Sequence, residues 1–445
     1  MRSRVTKLAD ALRSGYWFLP GVMATTAVLL SLVTVAIDRR FPTLLEEVGI
    51  GSGGVEGSRG LLETVAASMI TVAGVSFSIA IVVMSLASSQ FGPRLLRTFM
   101  RDRGNQVVLG VFVSTFLYSL LVLRTIRGEE SGGPFVPHVS VSVSVLLTVT
   151  SLALFIYFIH HAAQLIQVSH IIAAVGRDLA KVIDRVVPSE GSAPGDDRTV
   201  AAATPATRGH AVRADRAGYV QFIDHESLLD AATERDLLVR LRVRAGSFVL
   251  PATVLAEVWS AAPVDDDSGD AVRAAIVTGD ERTEQQDIDF GFQQLEQIAL
   301  RALSPAINDP FTAGICVDQL GVALCRLAER SPPARLTWDG TGSPRVIALD
   351  VTFAVLLSSA FDDIRRSGQD IIYILDRLLS TLERIADRAH RSADLAALRE
   401  QVDLVRIAAQ NGSQPVEERL TIEAGHAAAM ATIERRLGGL SRLDR

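Results

Sequence analysis

Four stretches of this chain are apolar over lengths that only a bilayer or a deep core accepts: residues 16–37, 61–89, 107–122 and 139–159. A helix needs about 20 residues to cross the hydrocarbon core. Because lipid offers no partner for an open backbone group, each stretch is predicted to be a helix. After Gln167 nothing comparable appears. The rest of the 445 residues is mixed polar and apolar, yet 48% of the whole chain is hydrophobic, more than the water-facing surface of a soluble protein usually permits. The first stretch reads as an uncleaved anchor. Arg2, Arg4 and Lys7 lie far from its apolar part, which ends in Asp38-Arg39-Arg40 without a small-residue cleavage site. Tyr16, Trp17 and Phe18 are placed to sit at the headgroup level.

Arginine in the short loops sets the expected orientation. Arg2, Arg4, Lys7 and Arg13 precede the first span, and Arg94, Arg97, Arg101 and Arg103 follow the second. Arg39, Arg40, Arg59, Arg124 and Arg127 in the other two loops are diluted by Glu46, Glu47, Glu56, Glu129 and Glu130. Both termini are therefore predicted to face the cytoplasm. Arg94, Arg97, Arg101 and Arg103 form a basic cluster for the anionic inner leaflet. With Leu95, Leu96, Phe99 and Met100 they make an amphipathic segment after the break at Phe91-Gly92-Pro93.

The second span carries an unusual face. Thr64, Thr71, Ser78 and Ser85 recur every seventh residue, and Ser68 and Ser89 join them in helical projection. Ala66, Ala73, Ala80 and Ala87 repeat at the same interval on a neighbouring stripe. Small residues let helices approach closely in lipid. Two readings follow: a tight packing seam, or a water-facing lining of a pore. No charge lies between Glu63 and Arg94, which argues against a proton relay.

The chain beyond the spans reads as a cytoplasmic α+β domain. Residues 171–212 hold a juxtamembrane helix and a Ser/Gly/Ala/Pro-rich stretch from Pro188 expected to be a flexible linker. Residues 213–262 alternate short β-rich runs with a turn at Gly246, similar to the small barrel-sandwich module of biotinyl and lipoyl carriers, but without any lysine to modify. Residues 263–445 are mainly helical and end in three amphipathic helices. The stretch "GDERTEQQDIDFGFQQLEQIALRALSPAINDPFTAG" is the most motif-like block. Asp309 is placed to cap a helix whose first residue is Pro310. Arg282, Gln286, Asp287, Arg301, Asn308 and Asp309 form either a structural network between two helices or a ligand site.

Several functions find no footing. A net charge of −6 gives no reason to expect nucleic acid. Cys316 and Cys325 are too few for a disulfide framework, and the adjacent His160 and His161 point to different helix faces, so no metal centre and no cofactor are expected. There is no Gly-Lys phosphate loop, dinucleotide fingerprint, HExxH or Gly-x-Ser-x-Gly elbow, and no enzyme is expected.

The segments "ASMITVAGVSFSIAIVVMSLASSQFGPRLLRTFMRDRGNQVVLGVF", "FVPHVSVSVSV", "YFIHHAAQLIQVS", "GYVQFID" and "RTEQQDIDFGFQQLEQIALRALSPAINDPFTA" resemble the bacterial membrane-protein family called domain of unknown function 2254. The resemblance covers nearly the whole chain. It implies an inner-membrane protein with a cytoplasmic domain, and it implies no activity. The sequence thus predicts four transmembrane helices over residues 1–170 in the bacterial inner membrane. Its expected partners are the lipid bilayer, further copies of itself, and a cytoplasmic protein or small ligand. The function expected is a channel-like pore gated by the cytoplasmic domain, with a membrane-tethered scaffold or sensor as the alternative.

Overall fold

The computed structural model describes residues 17–41, 54–91, 103–127, 135–165, 167–187, 197–349, 351–413 and 415–443. Contacts divide the chain into two units, Met1–His170 and Ile171–Arg445.

The first unit is a bundle of α1 (Phe18–Arg40), α2 (Gly54–Phe91), α3 (Arg103–Leu123) and α4 (His138–Leu165). The helices α2, α3 and α4 each cover an apolar stretch and extend it by a few residues, while α1 begins inside the first stretch and runs past its end. The helix α3 packs against the other three. Its Gly110 lies so close to α1 that a Cβ there would sit 3.3 Å from the Pro20 Cα and nearer still to the Met23 sulfur. Such glycine contacts replace the hydrophobic force that lipid cannot supply between helices. Polar side chains close the bundle. The Tyr118 hydroxyl lies 2.9 Å from that of Thr34 and donates to the Ser140 carbonyl at 3.1 Å. Thr115 meets Ser151 at 3.1 Å, and Ser119 meets Ser144 at 2.8 Å. At the end of α1 the buried Asp38 accepts from the Val139 and Ser140 backbone N–H groups at 2.8 and 3.0 Å, and from the Ser140 hydroxyl at 2.6 Å. One carboxylate thus satisfies orphan donors at the start of α4, where the helix dipole favours negative charge.

The second unit is α/β. The helix α5 (Val168–Val186) leads into it. Its buried Ile171, Ile172, Val175, Leu179, Val182 and Ile183 recur at helical spacing along one face. The helix α6 (Asp197–Ala203) precedes the strands β1 (His210–Arg213) and β2 (Gly218–Ile223), the helix α7 (His225–Glu234), and the strands β3 (Leu238–Leu241), β4 (Phe248–Val249) and β5 (Val254–Trp259). Then come α8 (Asp266–Ala274), β6 (Ile276–Gly279), α9 (Ile288–Ala302), α10 (Pro310–Ala328), β7 (Leu336–Trp338) and β8 (Pro344–Ile347). The helices α11 (Phe353–Ser367), α12 (Ile372–Arg388), α13 (Ser392–Asn411) and α14 (Val416–Leu443) finish the chain.

The strands form two sheets, ordered β1-β5-β3-β8-β7 and β4-β2-β6. All pairings are antiparallel except β3 with β8. Residues 197–203 and 210–213, inside the stretch expected to be a linker, form α6 and β1. The strand β1 is held by its pairing with β5, His210 opposite Val258. The strands β2 to β5 fall within 213–262, where short β-rich runs are expected, and β6 and β8 complete their sheets from further along the chain. The strand β8 ends at Ile347, and the helix α11 starts at Phe353.

Among the described residues, five helices are long and apolar enough to cross a membrane: α1, α2, α3, α4 and α10. The fifth differs in its surroundings. Most of α10 is buried, and α9, α11 and α12 pack on it. Midway along it Asp318 accepts from the Arg377 guanidinium of α12 at 2.7 Å. Asp309 caps it by accepting from the Thr312 N–H at 3.1 Å, with Pro310 at its first position, as the sequence predicts.

Candidate functional site

Two groups of residues were singled out by sequence, one in each unit. In α2 the alanine stripe packs inward: Ala66, Ala73 and Ala80 are buried. The hydroxyl stripe faces the other way. Thr64, Ser68, Thr71, Ser78 and Ser85 are all exposed on the outside of the bundle, and Ser89 falls in the last turn of the helix. Three of the hydroxyls turn back on the helix itself. Thr64 donates to the Gly60 carbonyl at 2.7 Å, Thr71 to Ala67 at 2.8 Å and Ser78 to Gly74 at 2.9 Å. This back-bonding satisfies a hydroxyl that no neighbouring helix reaches. Between them, Ile70, Thr71, Gly74, Val75, Ser78 and Ile79 line a shallow groove of about 580 Å³. Of the basic cluster, Arg103 begins α3, while Arg94, Arg97 and Arg101 lie outside the described residues.

In the second unit the predicted polar group separates into two places. Arg282, Gln286 and Asp287 gather at the start of α9. Asp287 caps this helix by accepting from the Phe290 N–H at 3.1 Å, and its other oxygen accepts from Arg282 Nε at 2.7 Å. Burial pushes the Asp287 carboxyl above its ordinary range, against the pull of Arg282. The Arg282 guanidinium also donates to Gln293 at 2.7 Å and lies 5.0 Å from the centre of the Phe290 ring. Gln286 acts as a strand substitute: its amide accepts from the Ile223 N–H and donates to the Ile223 carbonyl, both at 2.9 Å. Gly246 closes the arrangement. Its φ of +87° suits glycine, and a Cβ there would overlap the Asp287 carboxylate.

Arg301, Asn308 and Asp309 stand at the far end of α9, which at 15 residues is about 22 Å long. Arg301 is exposed on the last turn, Asn308 takes the left-handed turn at φ +49°, and Asp309 caps α10.

Sequence reasoning missed four members of the first cluster. The nearly buried Asp289 accepts from Gln293 at 2.9 Å and from the Ser359 hydroxyl at 2.8 Å, and lies 3.8 Å from both Arg282 and Arg244. Asp289 and Gln293 stand four apart on α9, one helical turn, with Asp289 buried and Gln293 half-buried.

Among the described residues no group of three or more His, Cys, Asp or Glu is placed to hold a metal. What the chain is similar to gives its family. The model of the family described as "Predicted membrane protein (DUF2254)" matches residues 13–384. The chain belongs to this family. The uncharacterised Mycobacterium bovis protein Mb1321c is 33% identical over 444 residues, covering 98% of this chain and 84% of the relative. The uncharacterised Mycobacterium tuberculosis protein Rv1290c matches to the same extent. No solved structure matches.

For a DUF2254 chain, a membrane protein, the outer surface of the first unit carries direct meaning. On α4 that surface is mostly large and apolar: Leu146, Val149, Leu152, Ile156 and Ile159 are well exposed, as acyl chains require. On α2 it mixes Ile70, Val75, Ile79, Ile81, Val82 and Leu86 with hydroxyls and Gly74.

Proposed function

We propose that this DUF2254 protein assembles in the bacterial inner membrane as a homo-oligomer whose α2 faces meet around a channel-like pore, gated by the cytoplasmic second unit. The observation that supports it is the outward hydroxyl face of α2, which none of the other described helices of the first unit covers. Small residues at interval positions favour close helix approach between copies, and satisfied hydroxyls tolerate water without a fixed charge. Four spans and two cytoplasmic termini belong to this reading. We assign α10 to the soluble core, because an Asp318–Arg377 ion pair within a helical cluster suits water-side packing better than hydrocarbon. The reading assigns no catalysis.

Reporter fusions at both termini and in the 42–53 and 124–137 loops test the orientation. Protein reconstituted in liposomes should pass ions or small osmolytes, and silence under voltage and tension overturns the pore. Ser78→Leu should change conductance several-fold. In a cysteine-free background, cysteines at Thr71, Ser78 and Ser85 should react with aqueous thiol reagents. A second reading, a membrane-tethered sensor, is favoured by a cavity in the second unit lined by apolar residues and arginines.

A further inference from the structure

A cavity of about 260 Å³ opens in the second unit between the end of α5, the β3–β4 turn and the starts of α9 and α11. Its walls are mostly apolar, with Leu241, Val243, Ile288, Leu327 and Leu356 prominent among them, and Arg185, His225, Arg244, Gln286 and Asp287 also line it. Such walls with a few convergent polar groups are the usual form of a small-molecule site. The volume falls just under the lower end of the range for drug-sized ligands, about 300 Å³, so the occupant is small.

Charge narrows the choice. Among the described residues, Asp287 and Asp289 near the cavity are already engaged. Asp287 is bonded to Arg282 and to the Phe290 N–H, which also uses the start of α9. Asp289 holds Gln293 and Ser359. Two guanidiniums on the lining keep donors to spare. Arg244 approaches a carboxylate no closer than the 3.8 Å to Asp289, and its side chain donates no direct hydrogen bond among the described residues. Arg185 donates to the Gln285 carbonyl at 3.0 Å. A guanidinium presents five donors in a planar fork that matches a carboxylate in two parallel bonds. Such a fork beside an apolar chamber suits an anion that carries an apolar body.

We propose that this cavity binds a small monocarboxylate with an apolar body, its carboxylate on Arg244 with Arg185 as the supporting charge. A single negative charge fits better than a phosphate dianion, since no lysine and no glycine-rich nest of N–H groups lines the cavity. The proposal deepens the sensor reading of the second unit, and direct binding is measured without reference to conduction, so either idea can fail alone.

The probe is 4-fluorophenylacetate, followed by fluorine NMR with the full chain in nanodiscs, with empty nanodiscs as the blank and neutral 4-fluorophenylacetamide as the matched control. Saturable binding of the acid is expected, at least tenfold tighter than the amide. Arg244→Gln should weaken it about tenfold or more, the scale of one charge-assisted bond pair. Arg185→Gln should weaken it less, and neither variant should alter the melting profile. Equal binding of acid and amide, no saturation at millimolar probe, or tighter binding of phenyl phosphate overturns the proposal.

Discussion

Adjacent helices of the membrane unit use the same hydroxyl chemistry in opposite ways. On α3, Thr115, Tyr118 and Ser119 are buried and reach across to α1 and α4. On α2, Thr64, Thr71 and Ser78 are exposed and bond back to their own helix. The first set holds the single chain together. The second contributes nothing to that bundle and is left for whatever lies outside it. The second unit repeats the contrast: Asp287 is committed to the fold, whereas Arg244, on the cavity lining, keeps unspent donors.

Substitutions that compare committed with uncommitted groups sharpen or break this division. The largest loss is expected for Asp287→Ala, which leaves the Arg282 guanidinium without its close partner. Breaking such a buried pair costs about 3–5 kcal/mol, read from denaturant unfolding of the full chain in detergent. Next comes Asp38→Ala, which strips two backbone donors of α4 of their acceptor, at about 2–3 kcal/mol by the same measurement.

A smaller, pH-dependent effect belongs to Glu296 on α9. Burial, with Asp363 beside it, pushes its carboxyl up to about 7. Its stabilising contribution is whole below the ordinary glutamate range and is lost as the pH rises toward 7. Glu296→Gln keeps the uncharged form, so the variant's stability should fall less than wild type between about pH 5 and 7. A parallel fall in both proteins removes Glu296 as the cause.

The smallest effects test the two helices directly. Thr115→Val should cost about 0.6 kcal/mol, typical of an interhelical hydrogen bond in a membrane protein. Ser78→Val should leave the stability of the isolated chain within about 0.5 kcal/mol, as expected for an exposed site. If Ser78→Val is the more damaging of the two in monomeric protein, the proposed division of roles is wrong.

Much of the membrane unit is legible in sequence because one signal dominates it. Twenty apolar residues leave few alternatives, and residues 139–159 became α4 with only its ends extended. The direction of the α2 stripes was not legible, since a small residue suits a packed face and a wet face equally. In the second unit local patterns located β2 to β5. They did not reveal that β3 pairs in parallel with β8, Val239 opposite Val346, because nothing nearby in the chain marks so distant a partner. The polar group was partly legible. Arg282 and Asp287 are five residues apart and meet, whereas Arg301, Asn308 and Asp309 are held away by the length of α9. Arg244 and Ser359 enter from remote segments, which local reading does not bring together.

The seating of α5 limits how the second unit can move. Leu179 fits against Gly291 of α9, where a Cβ would lie 2.8 Å from it, and Gln319 of α10 covers Gly176. Arg326 and Arg330 grip Asp184 at 2.9 and 2.5 Å, and Arg330 also bonds the Val187 carbonyl at 2.7 Å. A shaft notched at two levels and pinned at its end has no free twist. Any torque or thrust delivered to α5 must carry α9 and α10 along with it, without backlash.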